Sequence, residues 1–287
     1  MILITGATGK TGGEVSRQLA AAGMPFRVLV RNPDKAGPLR ELGADIAIGD
    51  VADRSAVERA MEGVDKALLV LPNDEQQLVW EKQFTDVAVA AGVTHLLYLS
   101  SIESVPESTN PITRNHVAAE AHIRASGLTY TMLRPTFFMQ MFTGMAARIK
   151  ETGKIVMPAG SGTVATTDLR DVAEVIVGIF AKPEGHENRS YDLTGPDLLT
   201  FVEIAECFSK VLGRDIQYVD QPLDEFRSVL RAIKMPEWRV DAVCKELASI
   251  GAGATDHTTG TIAELLGRPP CSLEQFIRDH VSLFTDD

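Results

Sequence analysis

Cysteine is scarce: only Cys207, Cys244 and Cys271 occur in 287 residues. They are odd in number and widely spaced, with neither a Cys-x-x-Cys pair nor a supporting histidine arrangement. This excludes a disulfide framework and a zinc site of ordinary spacing, so three reduced thiols without chemistry, and no metal, are expected. Long hydrophobic runs are also missing; a stretch such as 67–71 falls far short of the ~20 apolar residues that span a bilayer. Cations are outnumbered, 28 Lys and Arg against 39 Asp and Glu, for a net charge of −11, and they form no basic stripe. That excludes nonspecific affinity for nucleic acid or an anionic membrane. No charged segment with a cleavage signal precedes the first apolar run, and the expected compartment is the cytoplasm. No internal repeat or low-complexity segment is present. What remains is a globular chain with 45% hydrophobic residues, ample for a core, and a small molecule as its expected partner.

The positive signal lies in the first dozen residues. The apolar run Ile2-Leu3-Ile4 leads into Thr5-Gly6-Ala7-Thr8-Gly9-Lys10-Thr11-Gly12. In a strand–turn–helix unit that binds a dinucleotide, Gly6 permits the tight turn, Gly9 lets backbone approach the pyrophosphate, and Gly12 lets the helix pack closely. The phosphates then sit on the unpaired N–H groups and the positive dipole end of the helix. The spacing is Gly-x-x-Gly-x-x-Gly rather than Gly-x-Gly-x-x-Gly, so the context carries the argument. It agrees: residues 14–22 read as a helix with Val15, Leu19 and Ala22 on one face, and 25–30 as a second buried strand.

After that second strand, where an NAD-selective protein usually places an acid for the ribose hydroxyls, stands Arg31-Asn32-Pro33-Asp34-Lys35. A guanidinium there can grip a 2′-phosphate in a fork and stack on adenine, with Lys35 adding charge. NADP(H) is therefore the expected cofactor, with NAD(H) also open to it.

Further strand signals at 45–48, 66–71, 95–99 and 129–133 alternate with helical stretches such as 75–91. Such alternation predicts an α/β fold with a Rossmann-type, doubly wound parallel sheet over residues 1–157. Cofactor and substrate are expected at the carboxyl ends of the strands: Gly6 to Gly12, Arg31, Asn32 and Lys35, Asp50 and Val51, Leu71 and Pro72, Ser100 and Ser101, and Pro135, Thr136 and Phe137. From the loop 158–162 onward a smaller α/β substrate lobe is expected over 158–287, some of it returning to the main sheet. Residues 168–180 read as a helix with Asp171 near its start. Thr200 with Glu203 and Ser272 with Gln275 have capping-box spacing and read as helix starts without catalytic roles. Residues 222–247 read as two helices parted by Met235-Pro236, with Phe226, Leu230, Ile233 and Trp238 forming a small helical cap.

Four stretches carry a family resemblance: Ile4-Thr5-Gly6-Ala7-Thr8-Gly9; Arg31-Asn32-Pro33 with Lys35; Ala91-Gly92-Val93 leading to Tyr98-Leu99-Ser100-Ser101; and Arg124-Ala125-Ser126-Gly127-Leu128-Thr129-Tyr130-Thr131-Met132-Leu133-Arg134-Pro135. With 168–173 and Gly267-Arg268-Pro269-Pro270, the chain resembles the NmrA-like family over most of its length. That family is an atypical branch of the short-chain dehydrogenase/reductases and includes NADPH-dependent quinone, azo-dye and triphenylmethane-dye reductases.

The resemblance maps the lysine of a Tyr-x-x-x-Lys pair onto His116 and its tyrosine onto Ile112, so the pair is lacking here. It implies that His116 faces the nicotinamide ribose or the substrate. Read from spacing alone, His116, Glu120 and Arg124 share one helix face, and they equally fit a helix residue beside a solvated ion pair. Two ligands, His116 and Glu120, make no metal sphere. A placed acid at a developing alkoxide is worth typically ~10²- to 10⁴-fold, and Ile112 cannot supply it. Electron-poor conjugated acceptors need that help less, and orientation against nicotinamide supplies much of the acceleration. The expected activity is hydride transfer from NADPH to a quinone, azo or other conjugated acceptor. In it, His116 or water supplies any proton, Ser100 and Ser101 can bond an acceptor oxygen, and Phe137, Phe138 and Met141 can wall its pocket. A different class also fits the missing pair, a noncatalytic NADP(H)-binding redox sensor that regulates a protein partner. A nonredox enzyme on the same scaffold is a third. Homodimerisation is left open.

Overall fold

The computed structural model describes residues 1–285 of the chain. Its main sheet has seven strands: β1 (Ile2–Ile4), β2 (Phe26–Val30), β3 (Asp45–Ile48), β4 (Lys66–Leu69), β5 (His95–Leu99), β6 (Tyr130–Pro135) and β9 (Arg189–Leu193). They lie in the order β3-β2-β1-β4-β5-β6-β9. The pairings from β3 through β6 are all parallel, for example Ile2 opposite Phe26 on one side and Lys66 on the other. The order reverses between β1 and β4, the switch point at which open parallel sheets leave a crevice beyond their carboxyl ends.

Helices cover both faces: α1 (Lys10–Ala21), α2 (Gly37–Glu41), α3 (Arg54–Met61), α4 (Gln77–Ala90), α5 (Pro111–Ala125) and, later in the chain, α8 (Leu169–Ala181). Double coverage is why the central strands read as continuous apolar runs rather than alternating ones, and Leu3, Ile4, Val28, Leu68, Leu69, Leu96, Leu97, Met132 and Leu133 are all sealed from solvent. Val57, Met61, Phe84, Val87, Ala119 and Ile123 pack their helices onto that sheet.

Helix α1 starts four residues before the predicted 14 and buries Gly12, Val15, Ser16 and Leu19. Ala22, expected on the buried face, is instead its exposed C-cap: its N–H bonds back to Gln18, and Gly23 at φ +66 turns the chain away. β3 and β5 match their expected bounds, whereas β4 stops at Leu69 because Val70 is drawn into a clasp described below.

The chain groups into two compact units. The first comprises Met1–Pro106, Arg114–Arg134 and Val172–Asp192, and the second Glu107–Thr113, Pro135–Asp171 and Leu193–Asp287. The second unit holds α6 (Met141–Gly144), α7 (Ala146–Thr152), a parallel pair of β7 (Lys154–Met157) with β11 (Gln217–Asp220), and an antiparallel pair of β8 (Thr163–Val164) with β10 (Leu199–Thr200). It also holds α9 (Phe201–Leu212), α10 (Leu223–Ala232), α11 (Glu237–Gly251), α12 (Thr261–Leu266), α13 (Leu273–Asp279) and α14 (Val281–Phe284). Its core is aromatic: Phe208 lies edge-on to both Phe142, at 5.4 Å between centroids, and Phe284, at 5.1 Å.

The caps form as the sequence requires. Thr200 and Glu203 make a reciprocal capping box on α9, and Ser272 accepts from the Gln275 N–H on α13. Asp171 anchors the segment before α13, accepting from Arg268 at 2.7 Å and from the Cys271 N–H at 2.6 Å. Helices α10 and α11 part at Met235-Pro236, and Leu230, Val240 and Cys244 form their small core with Phe226 against it. Ile233, expected in that cap, is 66% exposed because α10 ends at Ala232 and Ile233 is already its C-cap. Among the described residues no helix is long and apolar enough to cross a membrane.

Candidate functional site

The glycine turn at the end of β1 is shaped by backbone contacts that no larger residue would allow. Gly6 sits at φ +63, and a Cβ there would fall 2.6 Å from the Val70 carbonyl oxygen; at Gly12 a Cβ would lie 2.5 Å from the Gly6 carbonyl oxygen. Gly6 therefore turns the chain, and Gly12 lets α1 press onto the turn. The Gly9 N–H closes the loop on the Gly6 carbonyl at 2.8 Å. Thr5 clasps the two strands of the switch point: its hydroxyl donates to Val70 O at 2.9 Å and accepts from the Val70 N–H at 2.8 Å. The N-cap of α1 is Gly9, which has no side chain to bond the first-turn amides, and that turn carries no acid. A helix start with no side-chain cap and no acid in its first turn suits an anion.

A cavity opens beside this turn. Thr5, Gly6 and Thr8 form its floor, Leu29, Gly49, Asp50 and Val51 come from the ends of β2 and β3, Leu71 and Pro72 follow β4, and Trp80 enters from α4. Arg31 stands on its rim, 76% exposed, with Nη1 3.8 Å from Asp50 Oδ2. An ion pair that long and exposed contributes little, so Arg31 can turn toward an incoming phosphate at small cost. Asn32 spends its side-chain oxygen on capping the short turn Pro33–Lys35, accepting from the Asp34 N–H at 2.9 Å, and Lys35 is exposed at the end of that turn. Of the residues assigned to the cofactor from sequence, the cavity brings together Gly6, Thr8, Arg31, Asp50, Val51, Leu71 and Pro72. Ala7, Gly9, Lys10, Thr11 and Gly12 belong to the turn and the start of α1. Trp80 was not anticipated, because an indole on a helix reads as core until the cavity beside it is seen. The shape, the helix start without a side-chain cap and the exposed guanidinium of Arg31 fit a dinucleotide phosphate.

Behind the carboxyl ends of β5 and β6 lies a buried polar cluster in which two glutamates meet opposite fates. Glu120 of α5, 1% exposed, accepts from Ser100 Oγ at 2.7 Å, Arg134 Nε at 2.8 Å and Arg124 Nη2 at 2.8 Å, and from Arg134 Nη2 as well. Burial by itself would raise its carboxyl, but the bonds and charge of Arg134, with Ser100 and Arg124, outweigh it and hold Glu120 below the usual range. The expected Glu120–Arg124 pair is therefore present but buried on its acidic side, not solvated. Ser100 gives its hydrogen to Glu120 and also touches Ser104 Oγ at 3.1 Å, so in this arrangement that hydrogen is not directed at an acceptor.

Glu81 of α4 has no such cations. It accepts from Gln77 at 2.8 Å and from the Tyr98 hydroxyl at 3.1 Å, its second oxygen is buried without a partner, and burial pushes its carboxyl up to about 7. Tyr98, fully buried on β5, lies 2.6 Å from His116 Nδ1. His116 is itself 8% exposed, and burial lowers its imidazole to about 4 against the opposing charge of Glu120, so the ring is neutral near pH 7. Sequence reasoning named Tyr98 without a role and missed Glu81. The available signal was an acid at the same helical phase as Gln77, Phe84, Thr85 and Ala88, all buried on α4.

The remaining expected residues lie in other surroundings. Ser101 is half-buried and caps its loop by accepting from the Glu103 N–H at 3.2 Å. In the second unit Thr136 has a buried hydroxyl with no partner, Phe137 packs on Phe142 and Phe201, Phe138 is half-buried in a bridge to Thr167, and Met141 is 47% exposed. Pro135, the last residue of β6, is buried. Ile112 is buried and apolar. All three cysteines are free, and no group of three or more metal-ligating side chains is found among the described residues.

The sheet order, the switch-point turn and the cavity define a Rossmann-type nucleotide-binding protein. Within that class the model of the NmrA-like family matches residues 1–262, and the chain belongs to that family. It is 35% identical over 287 residues to the NAD(P)H azoreductase of Xenophilus azovorans, spanning 99% of both chains. Two solved structures are similar throughout. One is the NADPH-dependent quinone oxidoreductase QOR2 of Escherichia coli in complex with NADPH, with a TM-score of 0.88 and 26% identity over 98% of this chain and 100% of that one. The other is the Citrobacter sp. triphenylmethane reductase in complex with NADP(H), with a TM-score of 0.87 and 28% identity over 97% and 99%.

Proposed function

We propose that the protein is an NADPH-dependent reductase of small, conjugated, electron-poor acceptors, of the quinone, azo or cationic-dye kind. The observation that carries this reading is the uncapped glycine turn opening onto a cavity rimmed by Arg31, in a chain 35% identical from end to end to an NAD(P)H azoreductase. Bound NADPH supplies the hydride. The turn from Gly6 to Gly12, including Ala7, Thr8, Gly9, Lys10 and Thr11, is assigned to the pyrophosphate. Arg31, helped by Lys35 and Asn32, takes the 2′-phosphate. Asp50, Val51, Leu71 and Pro72, with Trp80, hold the adenosine, and Pro135 and Thr136 are assigned to the nicotinamide. The unpartnered Thr136 hydroxyl supports a polar ligand there. His116 is the residue assigned to the acceptor; Ser100 secures Glu120 beside it. Ser101, Phe137, Phe138 and Met141 are the candidate acceptor contacts.

Residues 1–157 are read as the cofactor domain and 158–287 as the smaller substrate lobe, with some of its segments returning to the main sheet. The setting proposed for it is the cytoplasm, and sedimentation of the purified chain decides between monomer and homodimer.

The test is loss of NADPH absorbance with and without a quinone, an azo dye and a triphenylmethane dye, repeated with NADH. Acceptor-dependent oxidation is expected. Tight NADPH binding without oxidation across the panel would replace this reading with a noncatalytic sensor. Arg31→Ala should weaken NADPH about 10- to 100-fold, the worth of a charge-assisted hydrogen bond, and NADH far less. Equal losses in titrations of the two cofactors would remove Arg31 from 2′-phosphate recognition.

A further inference from the structure

The chain Glu81–Tyr98–His116 has no structural task that its parts explain singly. Its members come from α4, β5 and α5 and are joined by hydrogen bonds of 3.1 and 2.6 Å, with Tyr98 sealed from solvent. A carboxyl group buried with one oxygen unpartnered, and with no cation among the groups acting on it, is a poor home for a negative charge and a good one for a proton. At the other end of the chain, His116 uses Nδ1 inward. Its Nε2 makes no protein hydrogen bond among the described residues, and the residue keeps 8% of its surface exposed. The chain thus has a sealed end at Glu81 and, at His116, a ring nitrogen left without a protein partner.

We propose that Glu81, Tyr98 and His116 form a proton relay in which Glu81 stores a proton and His116 Nε2 delivers it to the oxygen or nitrogen of the reduced acceptor. This inference rests on the reductase reading given above.

With Glu81 protonated, its O–H donates to the Tyr98 oxygen, Tyr98 donates to His116 Nδ1, and the imidazole carries its hydrogen on Nε2. A quinone that had taken up the two electrons of the hydride that NADPH would supply would stand as a hydroquinone monoanion. The His116 Nε2–H bond breaks as the new O–H bond forms. Nδ1 takes the Tyr98 hydrogen, the Tyr98 oxygen takes the Glu81 hydrogen, and Glu81 is left as a carboxylate. One proton has moved and no net charge is left on tyrosine or histidine. In the resulting state Tyr98 donates to Glu81 and His116 donates from Nδ1, the mirror arrangement of the same bonds. After product leaves, a proton from water at Nε2 returns the chain to its starting state. A cationic triphenylmethane dye becomes neutral on accepting hydride at carbon and needs no proton, so its reduction should not use the relay.

The groups facing the chain are Gln77 beside Glu81 and Glu120 beside Tyr98 and His116, and Glu120 is held ionised by Arg134 and Arg124. Glu81 is therefore the group of this cluster expected to titrate near neutrality.

Two measurements test the relay. In the protein without cofactor, ¹⁵N NMR of His116 should show hydrogen on Nε2 below about pH 7 and on Nδ1 above it, and Glu81→Gln should abolish that switch while the ring stays neutral. A tautomer constant from pH 5 to 9, or a switch that persists in Glu81→Gln, overturns the relay. In turnover, Glu81→Gln and Tyr98→Phe should each lower kcat for a quinone at least ~10-fold, within the range of acid–base catalysis. They should leave kcat for the cationic dye within about twofold. Equal losses for both acceptors would make the chain merely structural. If wild-type protein reduces neither acceptor, the reductase reading fails, while the NMR result still stands or falls by itself.

Discussion

Glu81 and Glu120 are the same residue type, each 1% exposed, and they differ in what surrounds them. Two arginines and a serine converge on Glu120 and keep it charged, whereas Glu81 has an amide and a phenol. The consequence for stability has a definite sign. The Glu81 carboxyl is raised from 4.5 to about 7 on folding, so its contribution is fully present below pH 4.5 and is lost as the pH rises through 7. The loss is about 3 kcal/mol at 1.36 kcal/mol per unit. His116, lowered to about 4, acts in the opposite direction and loses its contribution as the pH falls from 6.5. The Glu81→Gln variant isolates the carboxyl. Denaturant unfolding at pH 5 and pH 8 should show the wild type losing stability relative to the variant by a few kcal/mol, and parallel pH profiles for the two proteins would show that Glu81 does not take up a proton on folding.

Helix α1 is defined at the scale of an element. Nothing caps it at Gly9, and its close approach to the turn depends on Gly12, where even a methyl group would meet the Gly6 carbonyl and the Ala7 nitrogen within 3 Å. Because those atoms are backbone, a Gly12→Ala change must move the helix or the turn, at a cost typical of overpacking, about 1–3 kcal/mol. It should also weaken NADPH at least ~10-fold, since the amides that would meet the pyrophosphate move with the helix. Wild-type affinity in a titration, together with a lowered Tm, would separate packing from binding and remove the turn from the cofactor site. Periodicity made α1 legible as a helix, but it put Ala22 on the buried face, where Gly12 and Ser16 actually lie. A lone methyl group carries too little apolar area to compete with a C-terminal turn. Ile233 departs for the same kind of reason: its helix stops one residue earlier, so its place in the pattern has no helix beneath it.

At the scale of the molecule, the core around β1, β4 and β5 is built largely on aliphatic strand residues and that of the second unit on aromatics. Phe208 is central to the second, touching Phe142 and Phe284 edge to face while fully buried. Phe208→Ala should cost about 3–5 kcal/mol in that unit, lowering its denaturant midpoint; a loss below 1 kcal/mol would mean that the ring stack contributes little beyond filling space. The alternation of strands and helices, the glycine turn and the arginine after β2 were determined by the sequence alone, because each depends on local periodicity, on backbone freedom at single residues and on position after a strand. The cavity joining Gly6, Asp50, Leu71 and Trp80, the clasp of Thr5 on Val70, and the meeting of Glu81, Tyr98 and His116 were decided only by the tertiary structure. Those residues stand up to 75 positions apart in the cavity, from Thr5 to Trp80. What makes one glutamate a charge and the other a proton store is the set of neighbours that folding brings to each, and spacing along the chain carries no record of it.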